Sequence, residues 1–365
     1  MKSETKLIPA SKPDDSATSA RSQVQDAPRA SGDAAAGRPP ATLASQSGTS
    51  DVRDVRVQFT RYTEVTNAIR RCHASYDGVH RPRSMQLYGT TGVGKSYLLQ
   101  DYAAKFPRVY RGDAVEIPVL YIRIPSAPTN KSLATQLLKA LGAPSPESGN
   151  SSVQFDRFVK LARQARVQLI IFDEMHHFID RGQAKSHAKV TDALKMVVEE
   201  LNVPCVAAGA PRSKALFDLN AQLRSRFVFS LRMHPFSIRT APEFAQLRGF
   251  LKALQAKADP RLHELLLDKE FAVAMFFATD GILRQIIDFV CDLDVAVMSG
   301  KQATMETAAW VFKETFWPAV RFDRNPFDRL TFSGIRLNQP GELYEPALYD
   351  GDNHPGDVDC LAKAA

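Results

Sequence analysis

The stretch Gly89-Thr90-Thr91-Gly92-Val93-Gly94-Lys95-Ser96 restricts this chain more than any other. It follows a short apolar run at 85–88 and opens a segment, 97–106, whose apolar residues recur at helical spacing. The pattern G-x-x-x-x-G-K-[ST] between a strand and a helix is a cradle for phosphate. Its glycines let backbone N–H groups turn inward around a polyphosphate, and the following helix offers its positive dipole end to the same anion. Lys95 is placed to reach the β and γ phosphates, and Ser96 to give a hydroxyl to Mg²⁺. The chain is expected to bind a nucleoside triphosphate.

With 365 residues, 44% of them hydrophobic, the chain has room for one large domain or two modest ones. No apolar run approaches the roughly 18 residues that cross a bilayer, and the N-terminus leads into no apolar core, so a cytoplasmic protein without membrane contact is expected. Cys72, Cys205, Cys291 and Cys360 lie far apart without C-x-x-C spacing and read as thiols in a reducing compartment rather than as a zinc site. The net charge of +7 is unevenly spread: residues 336–365 carry −4 and residues 1–50 carry +1, leaving +10 between them. A basic folded part with an acidic tail suits a polyanionic partner such as DNA.

Residues 1–54 are rich in Ala, Ser, Pro, Gly and Asp, with the first aromatic at Phe59, and are expected to be disordered. The span 62–73 carries Val65, Ile69 and Cys72 at helical spacing. Five short apolar runs follow, at 85–88, 117–124, 167–172, 203–208 and 227–231, separated by helical or turn-rich sequence. The middle runs are apolar on both faces, as strands of a covered parallel sheet must be. Helical periodicity at 133–141, 155–165 and 190–201 completes an α/β pattern with a five-stranded parallel sheet over 55–235. Beyond it, 242–258, 260–267, 269–279, 283–298 and 304–316 are all helix-like, which predicts a compact helical subdomain over 236–330 and a loose acidic tail over 331–365.

A second constellation is Leu169-Ile170-Ile171-Phe172-Asp173-Glu174. An apolar strand ending in two acids sets both carboxylates at the C-terminal edge of the sheet, where α/β ligands bind. Asp173 is the expected Mg²⁺ holder, and Glu174 the group that orients or deprotonates the attacking water. His176 and His177 come next; adjacent residues on a helix or turn point in different directions, so they read as packing or hydrogen-bonding residues rather than a chelating pair.

The run from Phe172 to His177, the helix reaching Leu201, Pro204 to Gly209, and Gln222-Leu223-Arg224-Ser225-Arg226-Phe227 together resemble the TniB family. These are ATP-binding transposition proteins related to TnsC, within the AAA+ ATPases, and the resemblance covers roughly residues 55–330. It implies an AAA+ P-loop NTPase with a C-terminal helical lid. It also implies an ATPase of a mobile element that binds double-stranded DNA as a homo-oligomer (ring or helical filament), helps choose the target site and engages a transposase and a TniQ-like targeting protein. Arg226 matches the arginine finger that one subunit lends to its neighbour's nucleotide, with Arg224 as the competing residue. Gly281-Ile282-Leu283-Arg284 resembles sensor 2, in which Arg284 reaches back to the phosphates.

One position departs from the AAA+ pattern. Where the fourth strand usually ends in a polar sensor residue, this chain reads Ala207-Ala208-Gly209-Ala210-Pro211. Slow hydrolysis of ATP is the expectation. Phosphate contacts to DNA would come from loops facing an oligomer axis, with Thr129, Asn130 and Lys131, and Arg181, Lys185 and Lys189, as candidates. Two other readings keep the ATPase core but give it different work, as a helicase loader of the IstB/DnaC kind or as a nucleotide-switched scaffold of the STAND type without DNA binding.

Overall fold

The computed structural model describes residues 51–55, 60–112, 114–126, 128–179, 184–219 and 221–345; the side chains of 51, 54, 184–191, 193 and 219 are not included. In chain order the strands are β1 (Ser84–Tyr88), β2 (Val109–Arg111), β3 (Ala114–Glu116), β4 (Val119–Arg123), β5 (Leu169–Asp173), β6 (Cys205–Gly209) and β7 (Phe227–Arg232). The helices are α1 (Thr60–His73), α2 (Lys95–Ala104), α3 (Asn130–Leu141), α4 (Ser151–Gln164), α5 (Ala184–Leu201), α6 (Lys214–Leu219), α7 (Ala221–Arg226), α8 (Ala241–Gln255), α9 (His263–Leu267), α10 (Lys269–Thr279), α11 (Leu283–Met298) and α12 (Met305–Val311). No described helix is long and apolar enough to cross a membrane.

Five strands form one parallel sheet in the order β4-β5-β6-β1-β7. Because side chains alternate along a strand, β5 feeds two cores at once. Leu169 and Ile171 join α1 and α2 on one face, while Ile170 and Phe172 join α3, α4 and α5 on the other. All five β5 residues are buried, which is why the run is apolar throughout until its terminal acid. The parallel arrangement brings the C-terminal ends of β4, β5, β6 and β1 to one edge, and that edge carries the site.

The helices after β7 build a third core around Phe250, Phe271, Phe289 and Phe312, with the Phe289 and Phe327 rings stacked at 4.8 Å. Burying each such ring stabilises by about 1.5–3 kcal/mol. Helix starts are capped locally: Thr240 and Glu243 form a reciprocal capping box on α8, and Asp268 accepts from the Phe271 N–H on α10. Helix α10 ends in two consecutive left-handed residues, Asp280 and Gly281, and that reversal aims α11 back at the sheet edge.

Two expectations are corrected, and one element is new. Asp51–Asp54, placed in the disordered stretch, forms a 3₁₀ turn with Val52 fully buried in the helical core, because a single valine suffices where that core is already assembled; residues 1–50 lie outside the described residues. The tail expected to be loose from 331 is packed as far as 345. Leu337 and Tyr344 are buried, the Tyr344 hydroxyl donates to the Ala278 carbonyl at 2.7 Å, and the Arg324 guanidinium holds both Glu342 oxygens at 2.6 and 2.7 Å. The Pro- and Gly-rich composition there concealed a few anchoring side chains; residues 346–365 lie outside the described residues. The antiparallel pair β2–β3 is also new: its residues are largely exposed, Tyr110 at 73%, so it has no apolar signature.

Candidate nucleotide site

The phosphate loop is shaped by backbone contacts. Gly92 and Gly94 have φ of 87° and 98°, and Gly94 caps α2 from the left-handed region. A Cβ on Gly89 would sit 2.2 Å from the Met233 carbonyl oxygen, so the residue that opens the loop can only be glycine. Lys95 is buried, its Nζ donating to the carbonyls of Gly89 and Thr90 at 2.6 and 2.9 Å. Ser96, one residue into α2, is half-buried.

Helix α11 docks directly on this loop. The Arg284 N–H donates to the Gly92 carbonyl at 3.0 Å, and a Cβ on Gly92 would meet Ile282 at 2.9 Å. One cleft of about 230 Å³ is lined by the loop and helix start from Thr91 to Tyr97, by Glu174 and Arg284, and by the apolar Val55, Met233, Phe250, Leu283 and Ile287. A cleft that combines cations, backbone N–H groups and apolar side chains can take a ligand with both an anionic and an apolar part. Arg61, also on its wall, lies 4.0 Å over the Phe236 ring; burial brings its guanidinium down to about 10, so it stays charged near neutrality.

Asp173 is fully buried. Its Oδ2 accepts from the Tyr121 hydroxyl at 2.7 Å and its Oδ1 from the Glu174 N–H at 2.8 Å. Burial and the neighbouring Asp173 carboxylate push the Tyr121 phenol well above its ordinary range, so it remains a donor. Glu174 is left-handed, with φ of 62°. Its Oε1 lies 3.4 Å from the Arg123 guanidinium and its Oε2 3.4 Å from His176 Nδ1. The Ala210 N–H donates to that same nitrogen at 3.4 Å. Just past β6, which ends in Gly209, Ala210 offers no polar side chain, and a buried histidine from the turn after β5 stands beside the acid. No motif points to Tyr121 or Arg123, and His176 was expected only to pack or hydrogen-bond; the parallel register of β4 with β5, which pairs Arg123 with Asp173, is what brings the first two there.

The two histidines depart from expectation. Met175–Phe178 is a 3₁₀ turn entered from the left-handed Glu174, and it sets the His176 and His177 rings 4.5 Å apart, inclined at 51°. They face each other rather than diverging.

Arg226 closes α7 at the far edge of the sheet, since Phe227 is level with Ser84 at the start of β1. Four residue steps of about 3.3 Å, roughly 13 Å, separate that level from the end of β1, before the phosphate loop begins. Arg226 lies 3.8 Å from Glu199 and is mostly covered, whereas Arg224 is exposed with no ion pair among the described residues. Of the proposed DNA contacts, the Thr129 hydroxyl accepts from the Ser132 N–H as the α3 cap, and Lys131 is exposed. Asn130 Oδ1 is buried without a hydrogen-bond partner among the described residues. The side chains of Lys185 and Lys189, and all of Arg181, lie outside the described residues.

A five-stranded parallel sheet with a phosphate loop after β1, an acid pair at the end of β5 and a helical region packed on the loop defines the AAA+ class of P-loop NTPases. Within that class the chain belongs to the TniB family: the family model described as "Bacterial TniB protein" matches residues 52–235, just over half of the chain. Among solved structures the fold is similar to Aeropyrum pernix ORC1, determined in complex with DNA, at 19% identity and a TM-score of 0.51, covering 70% of this chain and 65% of that one. Aeropyrum pernix ORC2 in its ADPNP–ADP complexes gives 14% identity and 0.49 over 71% and 68% of the two chains. The Thermotoga maritima RuvB Holliday junction branch migration motor gives 13% and 0.41 over 70% and 69%. No curated protein matches the chain by sequence.

Proposed function

We propose that the protein is an ATP-dependent regulator of DNA transposition. It binds ATP with Mg²⁺ in the cleft, oligomerises on double-stranded DNA, helps select the target site and recruits a transposase together with a TniQ-like targeting protein. The carrying observation is the separation of Arg226 from its own phosphate loop by the length of the sheet. An arginine so placed is out of reach of its own nucleotide; in the proposed oligomer it acts on a neighbour's, and the complete site then spans two chains. Such a residue contributes about 10³–10⁵ in rate where it stabilises charge on the γ-phosphate.

Within one chain, Lys95 and the loop N–H groups hold the phosphates, and Arg284 reports their presence to α11. The buried Asp173 carboxylate, fixed by Tyr121, fits a hard cation shared with the Ser96 hydroxyl. Mg²⁺ held by these two residues would neutralise charge on the terminal phosphates. Glu174 takes the proton of the attacking water once Arg123 and His176 release it. Those contacts, and the absence of a polar side chain at Ala210, make turnover slow: ATP occupancy keeps the assembly on DNA and hydrolysis dissolves it.

Three variants, followed by nucleotide binding and by electron microscopy on duplex DNA, test this. Lys95→Ala is expected to lose ATP binding and DNA assembly together. Glu174→Gln is expected to keep ATP and prolong the assembly. Arg226→Ala should bind ATP as a single subunit but lose assembly-stimulated turnover by at least about 10²-fold. Normal ATP-independent assemblies formed by Lys95→Ala would sink the proposal.

A further inference from the structure

We infer that Glu174, His176 and His177 form a binding site for a transition-metal ion of the zinc class, separate from the Mg²⁺ site assigned to Ser96 and Asp173. One carboxylate oxygen and one nitrogen from each imidazole lie within 4.8 Å of one another. A tetrahedral ion with bonds of about 2.0–2.2 Å holds its ligand atoms about 3.4 Å apart. His176 Nδ1 and Glu174 Oε2 already stand at 3.4 Å. The Ala210 N–H approaches the same Nδ1 at 3.4 Å, a long contact that gives way when that nitrogen's single in-plane lone pair binds an ion. A cation seated between the nitrogen and the carboxylate oxygen attracts both.

The third ligand supplies an independent observation. His177 Nδ1 is buried with no hydrogen-bond partner among the described residues. Buried polar atoms without partners are rare, and each calls for a bound group or a functional reason. Two imidazoles and one carboxylate are the donor set of His₂Glu zinc sites, which keep a fourth position for water or substrate. Mg²⁺ prefers oxygen throughout, so the N₂O set discriminates against the ion that accompanies ATP. The local backbone favours the arrangement, because the left-handed Glu174 and the 3₁₀ turn after it project three ligands from four consecutive residues toward one point.

The consequence for turnover rests on the function proposed above. A Glu174 carboxylate bound to the ion cannot accept a proton from water, so the loaded protein keeps ATP and stops hydrolysing it.

The test uses the full-length, tag-free protein with excess Mg²⁺, and Co²⁺ and Zn²⁺ as probes. Titration with Co²⁺ is expected to give the visible bands of a four-coordinate ion at one equivalent, displaced by Zn²⁺. His177→Ala and, separately, His176→Phe should weaken Co²⁺ binding at least tenfold while melting at temperatures close to the parent, and Lys95→Ala should bind Co²⁺ as the parent does. Zn²⁺ should suppress ATP turnover in the parent but not in His177→Ala. Absence of a one-equivalent Co²⁺ band, or equal binding by both folded histidine variants, overturns the metal site. If no ATP turnover is detected but the Co²⁺ band depends on the histidines, the site stands and the catalytic reading falls.

Discussion

The two sides of the cleft are held by different kinds of contact. On the phosphate-loop side the fixing contacts include backbone: the Met233 carbonyl beside Gly89, and the Arg284 N–H on the Gly92 carbonyl. On the Glu174 side they are side chains, Arg123 and His176, each at 3.4 Å. Backbone contacts leave no space for a Cβ and cannot be exchanged by rotating a side chain; side-chain contacts at that distance are weak and exchangeable. The shape of the phosphate loop is therefore built into the fold, while the surroundings of Glu174, the acid proposed to direct hydrolysis, are left to side chains that move cheaply.

The largest expected effect breaks the first side. Gly281→Ala puts a Cβ 2.1 Å from the Phe236 carbonyl oxygen at a φ of 66°, and Gly89→Ala creates a similar clash with Met233. Each is expected to destabilise by about 3 kcal/mol or more through forced backbone displacement, read as a lowered denaturation midpoint and lost ATP binding. Tyr121→Phe comes next. It removes the donor to the buried Asp173 Oδ2, with an expected cost of about 1–3 kcal/mol and weaker Mg²⁺-dependent nucleotide binding in calorimetry. A smaller effect of about 1 kcal/mol is expected for Thr240→Ala, which removes the α8 cap without touching the cleft, so ATP affinity should hold while the melting temperature falls.

Arg123→Ala is the mildest change to stability and the sharpest test of the comparison. Its ion pair with Glu174 is 69% exposed on the arginine side and is worth under about 1 kcal/mol. Thermal stability should barely move, yet single-turnover hydrolysis should accelerate several-fold as the acid is released. An unchanged rate would show that Arg123 does not restrain Glu174.

What could be read from the sequence follows the same division. The loop at Gly89–Ser96 and the run ending in Asp173 and Glu174 declare themselves because glycine, lysine and acids at fixed spacing are dictated by local backbone and ligand chemistry. The sheet was legible because buried parallel strands are apolar on both faces. Tyr121 and Arg123 were not, since their role depends on which strand lies beside β5, and register across a sheet leaves no local mark. The directions of His176 and His177 depended on Glu174 adopting a left-handed backbone that its side chain does not announce. Val52 and Tyr344 were hidden in stretches whose composition is that of loops.

The docking of α11 gives the cleft mechanical reach. Its 16 residues, at about 1.5 Å each, make a rod of about 24 Å. One end is anchored on the phosphate loop through Arg284, beside the fulcrum where the Phe236 N–H meets the Gly281 carbonyl at 2.7 Å. Each degree of tilt at that fulcrum displaces the opposite end by about 0.4 Å, given the rod's length. The opposite end presents Val295 and Met298, 60% and 49% exposed, to the surroundings. By that geometry, a tilt of a few degrees at the fulcrum corresponds to about 1 Å at the exposed end of α11.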